Sequence, residues 1–449
     1  MITDAFRKLY GNGVVFANLR GQRKVPYLSD AERHARRDAR IRSIVKYAAE
    51  TVPFYRDWFR SENLTPDQIR TPADLARLPS IDKEIVRAEG DRFLSTSRRA
   101  KTSLVIKTSG STNRSIDFHH DRNGLLANIA FGERERAAMK PALKGKKKYT
   151  ETYIYNPGTT TDVVLDFYRQ WTYIPVRPNR LVIPIADPVE SQVESVNRFQ
   201  PDILYSLGSY LEVLYRTIKF RKLRMHRPRL LMSIGDSPTP EGQQFIADEF
   251  DIPMLSHYNA GEALKIGYTC RQQSGFHLHD DLCHLRIVDP EGNPVPDGQD
   301  GEIVLSNFVN RAHVLLNYRM GDLAHFTADP CPCGRTQPMI SALQGRLADI
   351  IHLPSGKLVH AAQLSRIFRD FAGVLQNQII QHEPLRFELK LHAVDRPTYD
   401  RHLPKILDRL HEVFGQDALI EPTPHEFPHP KTHAKFRPVI SLCNPARSP

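Results

Sequence analysis

Cysteine, tryptophan and long apolar runs are what this sequence has least of: 5 Cys and 2 Trp in 449 residues. So few cysteines exclude a disulfide framework, and Cys331 and Cys333, one residue apart, have a spacing closer to metal ligation than to a bridge. A reducing cytoplasm is the expected compartment. No apolar stretch reaches the roughly 20 residues that cross a bilayer. The N-terminus sets Arg7, Lys8, Arg20, Arg23 and Lys24 around only the short apolar run Gly13-Val-Val-Phe-Ala17, which lacks a signal-peptide core. Neither export nor a membrane partner is expected. Repeats, low-complexity tracts and a Walker A loop are also missing, the last because nothing matches four residues between glycines followed by Gly-Lys-Ser/Thr.

What remains is an ordinary globular composition, 40% hydrophobic and 25% charged, long enough for two or more domains. The formal charge of +11 would suit a polyanion. Its clusters at Arg33 to Arg42 and Lys144-Gly-Lys-Lys-Lys148 accompany no nucleic-acid motif, so both read as solvated faces and no nucleic acid is expected. A polyphosphate substrate would also benefit from that field.

The most informative stretch is Lys107 to Arg114, which sets Thr108, Ser109, Gly110, Ser111 and Thr112 between the apolar Leu104-Val-Ile106 and the alternating Ile116-Asp-Phe118. It reads as strand, tight loop, strand. Gly110 permits unusual backbone angles, and the hydroxyls add donors to exposed amides, a combination suited to phosphate oxygens. Taken alone, such a run can also be a plain turn.

Upstream, Ser29-Asp-Ala-Glu32 is a capping box, with Ile41, Ile44, Val45 and Ala48 at helical spacing until Pro53. Ser80-Ile-Asp-Lys83 marks another helix start, and Asn123 to Met139 reads as helix. Between residues 150 and 259, the short apolar runs Thr152–Tyr155, Arg180–Pro184, Asp202–Tyr205, Arg229–Ser233 and Pro253–Leu255 alternate with polar helices. The pattern predicts an α/β domain with a mostly parallel sheet. Leu282–Ile287 and Glu302–Leu305 flank the turn-rich Asp289 to Gly298 as an antiparallel hairpin in a β-rich subregion. After Gly345-Arg346 the texture changes to a small α+β unit, with a strand at Arg386–Leu391, a helix from about Thr398 to Phe414 and a Pro/His-rich tail ending in Lys431 to Arg437.

In order, Thr108 to Thr112, Gly235-Asp-Ser-Pro238, Tyr258-Asn-Ala-Gly-Glu262, Tyr318-Arg-Met-Gly-Asp322, Gly345-Arg346 and Ala434-Lys-Phe-Arg437 resemble the motifs of the adenylate-forming superfamily: acyl-CoA synthetases, peptide-synthetase adenylation domains and luciferases. Pro201 to Tyr210, Gly298-Gln-Asp-Gly-Glu302 and Cys331-Pro-Cys-Gly-Arg335 are most similar to the phenylacetate-CoA ligase and coenzyme F390 synthetase branch, with its capsule-cluster relatives. Taken singly, Glu262, Asp322 and Lys435 each pass for a surface carboxylate, a turn residue and a solvated lysine. Six motifs in order carry the resemblance.

The resemblance implies a large domain over residues 1–345 that binds ATP and a carboxylic acid, and a mobile lid over 346–449 carrying a catalytic lysine, Lys435. It implies acyl-adenylate formation with release of pyrophosphate, then transfer to a thiol, coenzyme A first. Alternatives are an amine acceptor, a carrier-protein thiol, or a catalytically weak nucleotide-binding scaffold, in a monomer or homodimer. Thr108 to Thr112 would hold the β- and γ-phosphates, Glu262 the magnesium ion, and Gly235, Asp236 and Ser237 the edge of the adenine, with Tyr258 stacking nearby. Asp322 would accept from the ribose hydroxyls, and Arg346 would lie near ribose and phosphate. The chain departs from the pattern at Asn113-Arg114, Gly261, Ala348 and Ala434. Tyr153 to Thr161 and the surroundings of Tyr258 are the expected walls of the acid pocket. Cys270, His277, Cys331 and Cys333 are expected to form one structural zinc site, since three thiolates with one imidazole are a common tetrahedral set and some members of the branch carry similar residues. His279 and Cys283 are the rival ligands.

Overall fold

Short apolar runs become the centre of the molecule. In the computed structural model, which describes residues 2–107, 116–174, 179–424 and 436–443, an eight-stranded sheet takes the order Arg180–Ile183, Glu151–Ile154, Ile203–Ser206, Leu230–Ser233, Met254–Tyr258, Gly267–Thr269, Phe276–Leu278, Met339–Ile340. The first five strands are parallel and the rest add antiparallel. Three of the parallel strands are buried along their whole length, because helices cover both faces. The two-residue period of a strand sorts their side chains. Tyr153, Tyr155, Ile203, Tyr205, Leu230, Met232 and Leu255 build one apolar layer, and Ile154, Leu204, Leu231 and Met254 build the other with Leu211 and Leu214.

The predicted hairpin forms as Cys283–Val288 against Gly301–Asn307 and extends into a four-stranded antiparallel sheet through Tyr318–Ala324 and Gly345–Arg346. This sheet shares one core with helices from the first hundred residues, including Ile41, Ile44, Val45, Tyr55 and Phe93. The capping box at Ser29 closes: its backbone N–H donates to Glu32 Oε2 at 2.9 Å, and Asp30–Thr51 is helical. Pro53 ends that helix and opens the next, Pro53–Ser61, where a missing N–H costs nothing. Arg122–Met139 is the predicted long helix. An unpredicted helix, Ile2–Leu19, packs Val15 against Leu125, Leu126 and Leu165.

Residues 351–439 gather a separate apolar cluster around Phe387, Leu389, Leu391, Ile406 and Leu410. Its sheet runs Leu419–Pro424, Arg386–Ala393, Val374–Glu383, Val439–Ser441, with helices Ala361–Phe368 and Arg396–Phe414. Among the described residues, no helix is long and apolar enough to cross a membrane.

Candidate active site

Parallel strands leave their carboxyl ends open, and turns after them converge on one crevice. Here that crevice is a cavity of about 1720 Å³ between the large body and the C-terminal unit, lined by Gly235, Asp236, Ser237, Tyr258, Glu262, Asp322 and Arg346. The chain after Leu230–Ser233 turns at Gly235, whose φ of +86° favours glycine. Gly208 opens the helix after the preceding strand, and a Cβ there would lie 2.3 Å from the Pro238 nitrogen. Only glycine lets that helix approach the Asp236–Pro238 turn so closely. Asp236 is held by Ser209, whose Oγ donates to Oδ2 at 2.6 Å and whose N–H donates to Oδ1 at 3.2 Å.

Tyr258 ends the last of the five parallel strands, and its hydroxyl donates to Asp322 Oδ2 at 2.8 Å. Burial, then the Asp322 carboxylate beside it, push the phenol well above its ordinary value, so it stays a donor. Asp322 and Arg346 are direct cross-strand partners, and the guanidinium Nε lies 3.6 Å from Asp322 Oδ1. Glu262 is 7% exposed and its Oε1 accepts from the Tyr318 hydroxyl at 3.4 Å. Tyr153, Thr160 and Thr161 line the same cavity, on the stretch expected to wall it.

Thr108, Ser109, Gly110, Ser111, Thr112 and Lys435 lie outside the described residues. Their flanks are described. Leu104–Lys107 pairs antiparallel with Asp117–His120, with Lys107 opposite Asp117. His120 then reaches Gly261, with Nε2 2.6 Å from the carbonyl oxygen. Burial pushes this imidazole down to about 4, so it is neutral and donates Nε2–H, tying the loop's return strand to the segment that carries Glu262. Downstream of Lys435, Arg437 Nε donates to Asp349 Oδ2 at 3.2 Å, and its backbone carbonyl accepts from Gln378 Nε2 at 2.7 Å. The tail is thus anchored beside the Arg346–Asp349 segment two residues after Lys435.

Sequence reasoning missed the charged end of the cavity. Lys265 and Glu135 line it and form an ion pair. Behind them Arg134, fully buried, donates to Asp281 through Nη1 at 2.6 Å and Nη2 at 2.9 Å. Arg36 Nε reaches the same carboxylate at 2.6 Å. These partners stand far apart in the chain, so no spacing signals them.

A second cluster stands in the antiparallel part of the large sheet. One ligand atom from each of Cys270, His277, Cys331 and Cys333 lies within 4.8 Å of the others. Cys270 Sγ and Cys331 Sγ are 3.6 Å apart, and Cys333 Sγ is 3.4 Å from His277 Nε2. Burial, with the neighbouring thiols, raises Cys270 to about 12. Burial lowers His277 to about 4, leaving a neutral imidazole. Cys333 resists the effect of burial and sits below the ordinary thiol value because Arg335 faces it. Such a site favours thiolates only when a cation is present, which fits a metal. The rivals point elsewhere: His279 lies 3.4 Å from Glu135 Oε1, and the Cys283 thiol faces the Lys265 and His279 carbonyls.

This architecture is that of the adenylate-forming acyl-CoA ligases. The structure superposes on 2-hydroxyisobutyryl-CoA ligase in its postadenylation state with a TM-score of 0.75 at 18% identity, covering 93% of this chain and 91% of that one. Against an open conformation of the same enzyme the TM-score is 0.59. In sequence the chain is similar to phenylacetate-coenzyme A ligases. It is 25% identical to that of Thermus thermophilus over 328 residues, 71% of each chain. It is 25% identical to that of Escherichia coli over 383 residues, 82% of this chain and 81% of the relative. No protein-family model matches.

Proposed function

We propose that this chain is an ATP-dependent acid–coenzyme A ligase: it activates a carboxylic acid as the acyl-adenylate, releasing pyrophosphate, and passes the acyl group to the coenzyme A thiol. The observation that carries the reading is the convergence of Glu262, the Tyr258–Asp322 pair, Arg346 and the Gly235–Ser237 turn on one cavity. The similarity to phenylacetate-coenzyme A ligases supports it.

The carboxylate oxygen attacks the α-phosphorus, the bond to the bridging oxygen breaks, and pyrophosphate leaves with its charge. Catalysis is therefore positioning plus stabilisation of spread negative charge. In this reading Asp322, oriented by the Tyr258 hydroxyl, accepts from the ribose hydroxyls, and Arg346 offers its cation to the phosphate side. Thr108, Ser109, Gly110, Ser111 and Thr112 supply donors to the β- and γ-phosphates. Lys435 supplies the second cation to the transition state. Glu262, a nearly buried carboxylate on the cavity wall, would hold magnesium, whose charge would offset that of the phosphates. Residues 1–345 act as the ATP- and acid-binding domain and 346–449 as a lid that turns about Arg346–Asp349 for the second half-reaction. Arg437, bound to Asp349, supports that reading by joining the end of the tail to the proposed hinge.

Cys270, His277, Cys331 and Cys333 are proposed to hold one zinc ion, closed by four protein ligands and bracing the strands around it. The test of the reading is a pyrophosphate-release screen over aryl, fatty and amino acids, with and without coenzyme A. An acid that triggers release, with AMP and an acyl-CoA as products, supports it. ADP as product, or an acyl group found on an amine, overturns the stated acceptor or the chemistry.

A further inference from the structure

A helix on the surface of a folded body ordinarily turns its charged side outward. Ile2–Leu19 does not. Its inner face is fixed on the body: a Cβ on Gly11 would lie 1.8 Å from the Trp171 carbonyl oxygen, and Val15 sits in the core with Leu125 and Leu126. That seating decides which side chains point away. They are Phe6, Leu9 and Phe16, 68%, 59% and 61% exposed; Tyr10 lies at the edge, its hydroxyl donating to Asn123 Oδ1 at 2.5 Å. Gly13 and Ala17 complete the outward stripe. The spacing of three, four, three from residue 6 through 9 and 13 to 16 follows one helix face over ~15 Å, and no charged residue interrupts it. Tyr173, also exposed, borders it, with its N–H donating to Asn12 Oδ1 at 3.1 Å.

Basic residues lie beside this stripe and beyond its C-terminal end. The first 24 residues contain Arg7, Lys8, Arg20, Arg23 and Lys24 against the single acid Asp4, a surplus of four positive charges. Asp4 is occupied by Arg7 and Lys8 and Arg23 pairs with Glu133, while Arg20 and Lys24 are exposed just beyond the helix.

We infer that the outer face of Ile2–Leu19 docks flat on an anionic lipid surface, with Phe6, Leu9 and Phe16 entering the headgroup boundary and the cations at its end, Arg20 and Lys24, meeting lipid phosphates and carboxylates. Aromatic and leucine side chains beside a cationic rim are the two signals that together give reversible membrane binding. The expectation of no membrane partner rested on the lack of a spanning segment, which leaves surface docking open. A second copy of the chain fits less well. Phe6, Leu9 and Phe16, each about three-fifths to two-thirds exposed, offer roughly 400 Å² at about 200 Å² for a whole side chain, against ~800 Å² per partner in a stable dimer. A twofold pairing would also bring two positive rims together. Docking has a consequence for access to the cavity: Thr160–Trp171, which packs on this helix, lines the cavity with Val164, Leu165 and Tyr168. One helix would then separate the bilayer from the cavity.

The test is co-sedimentation of the full chain with vesicles of phosphatidylcholine alone and of phosphatidylcholine with about 30% phosphatidylserine. Binding about tenfold tighter to the anionic vesicles and weakened by added salt is the expected result. The Phe6→Asp/Phe16→Asp variant should fall to the level of neutral vesicles with its activity in solution unchanged, and Arg20→Glu/Lys24→Glu should lose the lipid preference. Equal binding to both vesicles, or anionic binding that survives Phe6→Asp/Phe16→Asp, overturns the inference. So does a dimer in sedimentation velocity that the same variant dissolves, because the stripe would then belong to a second copy.

Discussion

Glu262 is nearly buried, with the Tyr318 hydroxyl against one of its oxygens. Replacing it by glutamine keeps the shape and one acceptor and removes only the charge. Glu262→Gln is therefore expected to lower adenylate formation by about 100-fold, in the range seen when one electrostatic contact to a transition state is lost. It should also move the magnesium dependence to higher concentration with the melting temperature nearly unchanged. A magnesium titration of pyrophosphate release checks this, and an unaltered dependence would remove the assigned role. Asp281 shows the opposite balance of function and stability. Its carboxylate is held well below the ordinary range because Arg134, Arg40 and Arg36 outweigh the effect of burial. Asp281→Asn leaves the fully buried Arg134 without its countercharge, which costs about 3–5 kcal/mol. Urea denaturation of the variant measures that loss, and a shift below ~1 kcal/mol would mean that other partners compensate.

The cysteine cluster acts on elements. Cys270 and His277 flank the turn between Gly267–Thr269 and Phe276–Leu278, and Cys331-Pro-Cys333 precedes Met339–Ile340, which pairs with the latter strand. A bound zinc would join Gly267–Thr269 and Phe276–Leu278 to the segment before Met339–Ile340, on residues that do not line the cavity. Protein purified without a histidine tag is expected to carry about one equivalent of zinc. Cys331→Ser/Cys333→Ser should lose the metal and several degrees of thermal stability, yet keep most of the chemistry per folded molecule. Full zinc in the double variant would show the site to be wrongly drawn. Elements of this kind mark how much the sequence disclosed. The parallel strands were legible within a residue or two because each is a short apolar run between turns. The antiparallel hairpin was legible from its Gly/Pro-rich turn. Gly345–Arg346 and Met339–Ile340 were not read as strands, because two residues carry no periodicity and exist only through their partners. Ile2–Leu19 escaped because apolar residues on two opposite faces blur a helical stripe. Within the site, Glu262, Asp322 and Arg346 were legible as parts of ordered motifs. The His120–Gly261, Lys265–Glu135 and Arg134–Asp281 contacts join residues more than a hundred positions apart, which only the fold brings together.

Across the whole molecule, titration and motion are both predictable. Burial pushes His120 down to about 4 and His284 and His313 down to about 3. Between pH 6.5 and 4 the unfolded chain binds protons at these sites that the folded one does not, so their contribution to stability is lost as pH falls through that window. Glu212, pushed up to about 7 by burial, works the other way: its contribution is present below about pH 4.5 and lost as pH rises through 7. Three histidines outweigh one carboxyl, so thermal stability should fall from pH 6.5 to 4.5, and fall more steeply in Glu212→Gln; an equal slope in the variant would contradict the assignment to Glu212. Motion concerns the C-terminal unit, which the proposed function makes a lid over the cavity. The proposed function requires the cavity to make an acyl-adenylate before any acceptor arrives. ATP–pyrophosphate exchange tests it most directly. With an acid identified by the screen, exchange should require magnesium and the acid, proceed without coenzyme A, and collapse in Lys435→Ala while that variant still transfers the acyl group from a supplied adenylate. Exchange that needs coenzyme A, or that survives intact in Lys435→Ala, would contradict it.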